Sequence, residues 1–255
     1  MRAILPAAAA AVALSSYAHA QTLPVEVTVE NLAPANDISF APLRIVFGSG
    51  TFDAFNIDET AGAGIVSVAE GGVGDVWFDE AATAEPASTR GTVVPSTGPG
   101  PLFPGATGSN VFTVDTDLNP FFTFANMVIP SNDLFLGNDN PTAFQLFDDD
   151  GNLLITEITQ TASQIWDANS EVADPAAAAF LVGGNNDLRT PENGTVAFDF
   201  SELSVFDGLP TPAYTFDTNL AGDTPIFRIS FAVVPEPTSA AALGLAGLTM
   251  LRRRR

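Results

Sequence analysis

The chain contains no lysine and no cysteine, and its single histidine, His19, stands near the N-terminus. Without cysteine there is no disulfide and no thiolate chemistry. His19 falls in a stretch that reads as a removable leader, so the remaining body lacks His, Cys and Lys together. A Ser–His triad, a Cys–His dyad, a Schiff-base lysine and a His-ligated zinc centre are thereby excluded. Carboxylate-only chemistry, such as glycoside hydrolysis by paired acids, is left open. Positive charge is also scarce. All nine basic residues are arginine; Arg2 lies in the leader and Arg252 to Arg255 end the chain. Only Arg44, Arg90, Arg189 and Arg228 remain to face the chain's 30 acids. That balance argues against nucleic acid and anionic membrane surfaces as partners. It favours cations, and solubility in a salty medium.

The two ends read as addresses. Residues 1–20 carry one arginine, an apolar run and Ala18-His19-Ala20, a small-x-small cleavage site. This is the pattern of a secretory signal peptide, cut before Gln21. Residues 234–255 begin with Val234-Pro235-Glu236-Pro237, continue through the apolar run Thr238–Leu251 and finish in four arginines. The run is short of the roughly 20 residues that span a bilayer, and the arginines give a positive-inside stop. The combination resembles a PEP-CTERM sorting signal. That resemblance implies a Gram-negative bacterium, an exosortase-type processing enzyme as a partner, and delivery to the cell surface or extracellular matrix. The membrane would then be met only through the C-terminal tail before processing. A plain membrane anchor is the alternative.

Between them, residues 21–233 read as one all-β domain, an antiparallel β-sandwich with one or two short helices, long enough to bury a core. Val25–Val29 alternates apolar and polar residues, the period of a strand with one buried face. Phe40–Phe47 reads as a second strand, with Pro42 placing it at an edge or a bulge. Asp58–Glu70 has helical spacing, closed by Gly71 and Gly72. Residues 80–108 are rich in Ala, Thr, Pro and Gly and read as a long surface excursion. Strands are expected again at Ser109–Val114, Phe121–Val128, Thr142–Phe147, Leu153–Thr159, Thr195–Phe200 and Phe227–Val233. Asp174-Pro175 before Ala176–Phe180 predicts a short capped helix. Six Phe-Asp steps, at Phe52, Phe78, Phe147, Phe198, Phe206 and Phe216, have no fixed period. Each is explained by a strand that ends in a core phenylalanine and leaves through an aspartate turn.

In the central stretch, 121–171, the carboxylates gather where strands end. Loops at one end of a sandwich converge while the sheets hold them rigid, and β-proteins build cation sites there. Met127-Val128-Ile129-Pro130-Ser131-Asn132-Asp133-Leu134-Phe135-Leu136-Gly137 resembles the M-x-x-P-S-P-D-W-F-x-G signature of spondin domains. Trp166-Asp167-Ala168-Asn169-Ser170-Glu171 resembles that family's W-D-A-G-T-D loop. Ile38-Ser39-Phe40-Ala41-Pro42-Leu43 is similar to its opening F-S-P-L strand. Glu59 to Gly64 and Ala69 to Gly72 are similar to its E-x-A-S-x-G…A-E-x-G helix. The four blocks occur in order over residues 36–232. The family's cysteines are missing here.

The resemblance implies a calcium site made by Asp133, Asp167 and Glu171, with Glu171 standing where the family usually has aspartate. Asn132 replaces a family proline and Leu134 an aromatic, and neither is expected to be a side-chain ligand. Each acid taken alone reads better as a solvated turn residue or a cap; the family motif at both loops puts the metal reading ahead. Asp148-Asp149-Asp150-Gly151 with Glu157 mimics part of an EF-hand loop, but Leu146 falls at its first position and its flanks are strands. An Asp-Gly hairpin turn is the better reading. Gly71-Gly72-Val73-Gly74 follows a helix, which is the wrong context for a phosphate loop. Trp77 and Trp166 are aromatic candidates for a sugar site, with core packing the stronger reading for Trp166.

The expected function is a secreted, non-enzymatic, calcium-binding adhesion or recognition module, with exopolysaccharide or a surface protein as partner. A carboxylate-only glycoside hydrolase acting on exopolysaccharide and a matrix protein with no specific ligand are the alternatives.

Overall fold

The computed structural model describes residues 22–235. The expected signal peptide and nearly all of the expected sorting signal lie outside the described residues. In chain order the strands and helices begin with β1 (Thr22–Asn31), β2 (Ser39–Phe40), β3 (Leu43–Gly48), α1 (Ala63–Gly71) and α2 (Asp75–Ala84). They continue with β4 (Thr89–Val93), β5 (Thr107–Asp115), β6 (Phe121–Ile129), β7 (Leu134–Gly137) and β8 (Glu157–Thr161). β9 (Trp166–Asp167), β10 (Ala197–Phe198) and β11 (Pro225–Val233) complete the set. Single 3-10 turns form at Ala162–Gln164, Asn186–Leu188 and Ser201–Phe206. The architecture is the expected antiparallel β-sandwich. One sheet runs β5-β1-β11-β8 and the other β10-β9-β7-β6-β3-β4, with β2 added beside β6.

Two cores follow from this layering. Between the sheets, Val25, Val27 and Val29 of β1 meet Phe47, Phe122, Phe124, Phe227 and Phe231. The intervening Glu26 and Thr28 are only partly exposed, so the period of two in the sequence maps onto one buried face. On the outer face of the larger sheet, α1 and α2 pack Ile65, Val68, Ala69, Trp77 and Ala81 against Val46, Ala125 and Phe135. β6 is therefore covered on both sides, and eight of its nine residues are buried. Arg44 ties the layers together. Its guanidinium donates to the Gly72 carbonyl at 2.6 Å and to Thr92 Oγ1 at 2.8 Å, a cation set at the C-terminus of α1.

One side of the sandwich is closed and the other is open. β4 and β5 join the two sheets on the closed side, where Asn110 Nδ2 donates to the Thr92 carbonyl and Thr89 Oγ1 to the Thr113 carbonyl. Gly108 on β5 lies so near Val94 that a Cβ would stand 2.1 Å from its carbonyl oxygen. The open side is flanked by β8, the edge of the smaller sheet, and by β10, the edge of the larger.

Several local expectations are corrected. The strand expected at Phe40–Phe47 is two strands, broken at Ala41-Pro42, and β3 is internal rather than an edge. The helix expected over Asp58–Glu70 starts at Ala63; Gly72 ends it in the left-handed conformation, φ 62°, as the glycine pair predicts. The stretch 80–108 is not a surface excursion. It finishes α2, supplies β4, and buries Val93 and Leu102 in the inter-sheet core. Thr142–Phe147 forms no strand. It makes only isolated bridges, Phe121 to Gln145 and Phe147 to Leu153, although Leu146 and Phe147 are fully buried. The strand expected at Leu153–Thr159 forms later, at β8, and that expected at Thr195–Phe200 shrinks to β10. Asp174 caps a single turn, accepting from the Ala176 N–H at 2.8 Å, and no helix follows.

Aspartate turns form, but the expected strand-ending core phenylalanine does not lead into them: Phe78 lies inside α2, Phe52, Phe147, Phe206 and Phe216 end no strand, and Phe198, which ends β10, is half exposed. Asp148 accepts from the N–H groups of Asp150 and Asn152, and Gly151 takes φ 74°. Its carboxylate is spent on the turn itself, which removes the EF-hand mimic. Asp199 Oδ1 accepts from the Ser201 N–H, and Asp207 Oδ1 from the Thr218 N–H.

Candidate metal centre

Asp133 sits in the short link between β6 and β7, after the cis Ile129–Pro130 bond. Ser131 Oγ fixes this link by donating to the Val128 carbonyl and accepting from the Leu134 N–H. Asp133 is fully buried. Its Oδ2 accepts three hydrogen bonds from the 167–171 loop: Ser170 N–H at 2.7 Å, Glu171 N–H at 3.0 Å and Ser170 Oγ at 3.1 Å. Its Oδ1 is buried with no hydrogen-bond partner.

Asp167 ends β9, where it pairs with Leu134 of β7 on one side and Ala197 of β10 on the other. One oxygen accepts from the Asn169 N–H at 2.7 Å. Asn169 takes a left-handed φ of 48°, which turns the loop back toward Asp133. The third carboxylate comes from outside the expected set. Glu202, in the 3-10 turn after β10, brings an oxygen to the other two, and one oxygen from each of Asp133, Asp167 and Glu202 lies within 4.8 Å of the others.

Glu171 is not a member of this cluster. Its carboxylate is turned away, accepting from Asn132 Nδ2 at 2.9 Å and lying 3.8 Å from Arg189 Nε. What it gives Asp133 is its backbone N–H. Asn132 is no ligand either: its amide links Glu171 to the Asp174 N–H. A surrounding network completes the setting. Glu70, from the last turn of α1, accepts from Ser170 Oγ at 3.0 Å and pairs with Arg189.

The electrostatics are those of crowded, desolvated acids. Burial pushes the Asp167 carboxyl up to about 7, with the negative Asp133 beside it adding to the effect. Burial pushes Glu202 up to about 8, helped by Asp167 and Asp133. Asp133 is also raised by burial, though the N–H groups of Glu171 and Ser170 pull the other way. Three carboxylates cannot ionise together in so small a space unless protons or a cation neutralise them. The donor set is all oxygen, which suits a hard divalent cation.

Asp133 and Asp167 were legible in the sequence as acids at strand ends. Glu202 was missed, although the same signal was present: Phe198-Asp199 closes a strand, and Glu202 follows within the next turn. Trp166 and Trp77 are both buried. Trp166 Nε1 donates to the Gly137 carbonyl at 3.0 Å, anchoring the loop that carries Asp167.

No protein-family model matches the chain, and no curated protein matches it. The class is defined by fold and site alone: an antiparallel β-sandwich with a carboxylate cluster assembled from the β6–β7 link, the end of β9 and the 3-10 turn after β10.

Proposed function

We propose that this chain is a secreted, non-enzymatic β-sandwich that binds calcium through Asp133, Asp167 and Glu202 and serves as a surface recognition or adhesion module. The observation that carries the reading is the buried Asp133 Oδ1. It has no hydrogen-bond partner, and the Asp133 carboxylate converges with those of Asp167 and Glu202. A buried acceptor left unmade is costly unless something positive completes it. Calcium takes six to eight oxygens, and three carboxylates with further oxygens meet that need. The resemblance of the 127–137 and 166–171 segments to spondin domains supports a calcium site made by these loops. It also supports the adhesion role, and the leader and tail motifs support the extracellular setting.

Hydrolysis by paired acids is the less favoured reading. It needs two carboxyl groups facing each other across an open groove, whereas Asp133 and Asp167 are buried.

The test is thermal unfolding of the purified chain in calcium and in chelator. Free calcium at a hundred times its dissociation constant should stabilise by about 2.7 kcal/mol. Asp167→Asn and Glu202→Gln should each abolish the response, while Glu171→Gln should retain it. A response that survives Glu202→Gln and disappears in Glu171→Gln would restore the ligand set implied by the resemblance. No response in the wild-type protein would overturn the metal reading.

A further inference from the structure

We propose that the open edge of the sandwich carries a subsite for one neutral sugar ring of a polysaccharide, with Phe198 as its stacking face and Gln160 as its polar anchor. This names the partner of the recognition module proposed above. It rests on that reading for its use, though not for its chemistry.

The cleft lies where the two sheets part, lined by Asn138, Asp139, Gln160, Gln164, Trp166 and Phe198. It is contributed by the end of β7, by β8 and by the β9–β10 edge. Phe198 is half exposed, and its ring stacks on Trp166 with centroids 3.6 Å apart and planes 22° apart. Trp166 is in turn fixed by its bond to Gly137 and by Phe55, which meets it edge-on at 5.1 Å. Phe198 is therefore a rigid, wet aromatic face backed by a second ring. The electron-rich face of such a ring attracts the polarised C–H groups on one side of a pyranose.

The polar groups complete the recognition. Gln160 is only 5% exposed, on the same side of β8 as the core residue Ile158. Its side-chain amide makes no hydrogen bond among the described residues, yet it faces the cleft. Its amide is not one of the buried unpartnered groups; it meets solvent at the cleft and is free both to donate and to accept. A sugar hydroxyl does both. Gln164 uses its Oε1 on the Thr161 N–H, which leaves its Nε2 to donate. Asp139 offers a carboxylate with no hydrogen bond among the described residues. Asn138 is already committed, to the Phe124 N–H and the Asn140 carbonyl, and serves as wall.

Size and charge narrow the ligand. The cleft measures about 150 Å³, below the roughly 300–1,000 Å³ of sites that engulf a whole ligand. One ring fits, with the rest of the chain in solvent. Asp139 and the acidic surface turn away an anionic sugar, so the ring is neutral.

The experiment is calorimetric and tryptophan-fluorescence titration of the full chain with neutral hexose oligosaccharides, glucose- and mannose-based. Polygalacturonate serves as the anionic comparison, and each titration is run in calcium and in chelator. The expected result is weak binding, with a dissociation constant on the order of millimolar, as one ring contact gives. Phe198→Ala and Gln160→Leu should each weaken it by about three- to tenfold. Both variants should keep the wild-type melting response to calcium, which separates lost binding from lost folding. Failure of every neutral oligosaccharide to bind, or equal binding by both variants, would overturn the subsite. Binding of polygalacturonate alone, and only in calcium, would also overturn it by moving the ligand to the metal. Neutral sugar binding beside an absent calcium response would overturn the metal reading and leave the subsite standing.

Discussion

Asp167 and Glu202 are the residues at which protons and a cation compete. Both have folded-state pKa values above their ordinary ones, about 7 and about 8. A raised acid stabilises the fold while protonated, so its contribution is complete below the ordinary carboxylate value and is lost as pH rises through the folded value. In chelator, the melting temperature should therefore fall as pH is raised from about 4 to about 8, and saturating calcium should flatten that fall. A melting profile in chelator that rises over this window would contradict the assignment. Glu85 titrates in the opposite sense. Burial alone would raise it, but the N–H groups of Thr51 and Phe52 and the hydroxyls of Thr51 and Ser49 outweigh burial and hold it below the usual value. Its stabilisation is present above the ordinary glutamate pKa and is lost as pH falls through the lowered one. Glu85→Gln keeps one acceptor oxygen for those donors but removes their charged acceptor and sets an amide NH2 against the Ser49 N–H, which bonds to the other oxygen; it should cost about 1–3 kcal/mol in urea unfolding at pH 7. The loss should shrink as acid protonates the wild-type side chain.

At the scale of elements, what could be read in advance was what each strand carries within itself. β1 announces its buried face through Val25, Val27 and Val29, and β6 through a run that is apolar except for Thr123 and Asn126. β4 does not: Thr89-Arg90-Gly91-Thr92-Val93 has little apolar pattern, and it is a strand because β3 offers it a partner. α2 was equally hidden, since its buried face is little more than Trp77 and Ala81. Leu146 and Phe147 misled for the reverse reason: they are core residues inserted from a loop. The metal cluster follows the same division. Asp133 and Asp167 sit in local motifs, whereas Glu202 arrives only because β10 pairs with β9. The closure at β4 and β5 gives a test at this scale. Gly108→Ala would drive its methyl group into the Val94 carbonyl, a backbone atom that cannot step aside. Unfolding in urea should show a loss of about 1–3 kcal/mol at an unchanged denaturant slope. The calcium response should be unaffected, because the site lies on other loops.

Over the whole molecule, the acidic excess sets the behaviour in salt. Thirty acids against nine arginines repel one another across a small surface. Raising sodium chloride from about 0.02 to about 0.5 M should raise the melting temperature even in chelator, since screening shortens the reach of that repulsion from roughly 20 Å to under 5 Å. A flat or falling response would mean that the ion pairs outweigh the repulsion. Those pairs engage few residues. Arg228, on β11, reaches Glu30 at 3.0 Å on one neighbouring strand and Glu157 at 3.4 Å on the other. The placement of the four arginines among the described residues has a consequence for proteolysis. Trypsin, denied any lysine, must cut there after Arg44, Arg90, Arg189 or Arg228. Three of these peptide bonds lie within β3, β4 and β11, and a protease cannot thread them until the sandwich comes apart. The fourth follows the 3-10 turn Asn186–Leu188, in the loop whose Arg189 clasps Glu70 above the carboxylate cluster. Among the described residues, a native digest should therefore begin with a single cut at that point, yielding two fragments that stay associated. Its rate reads how often the site's own loop opens.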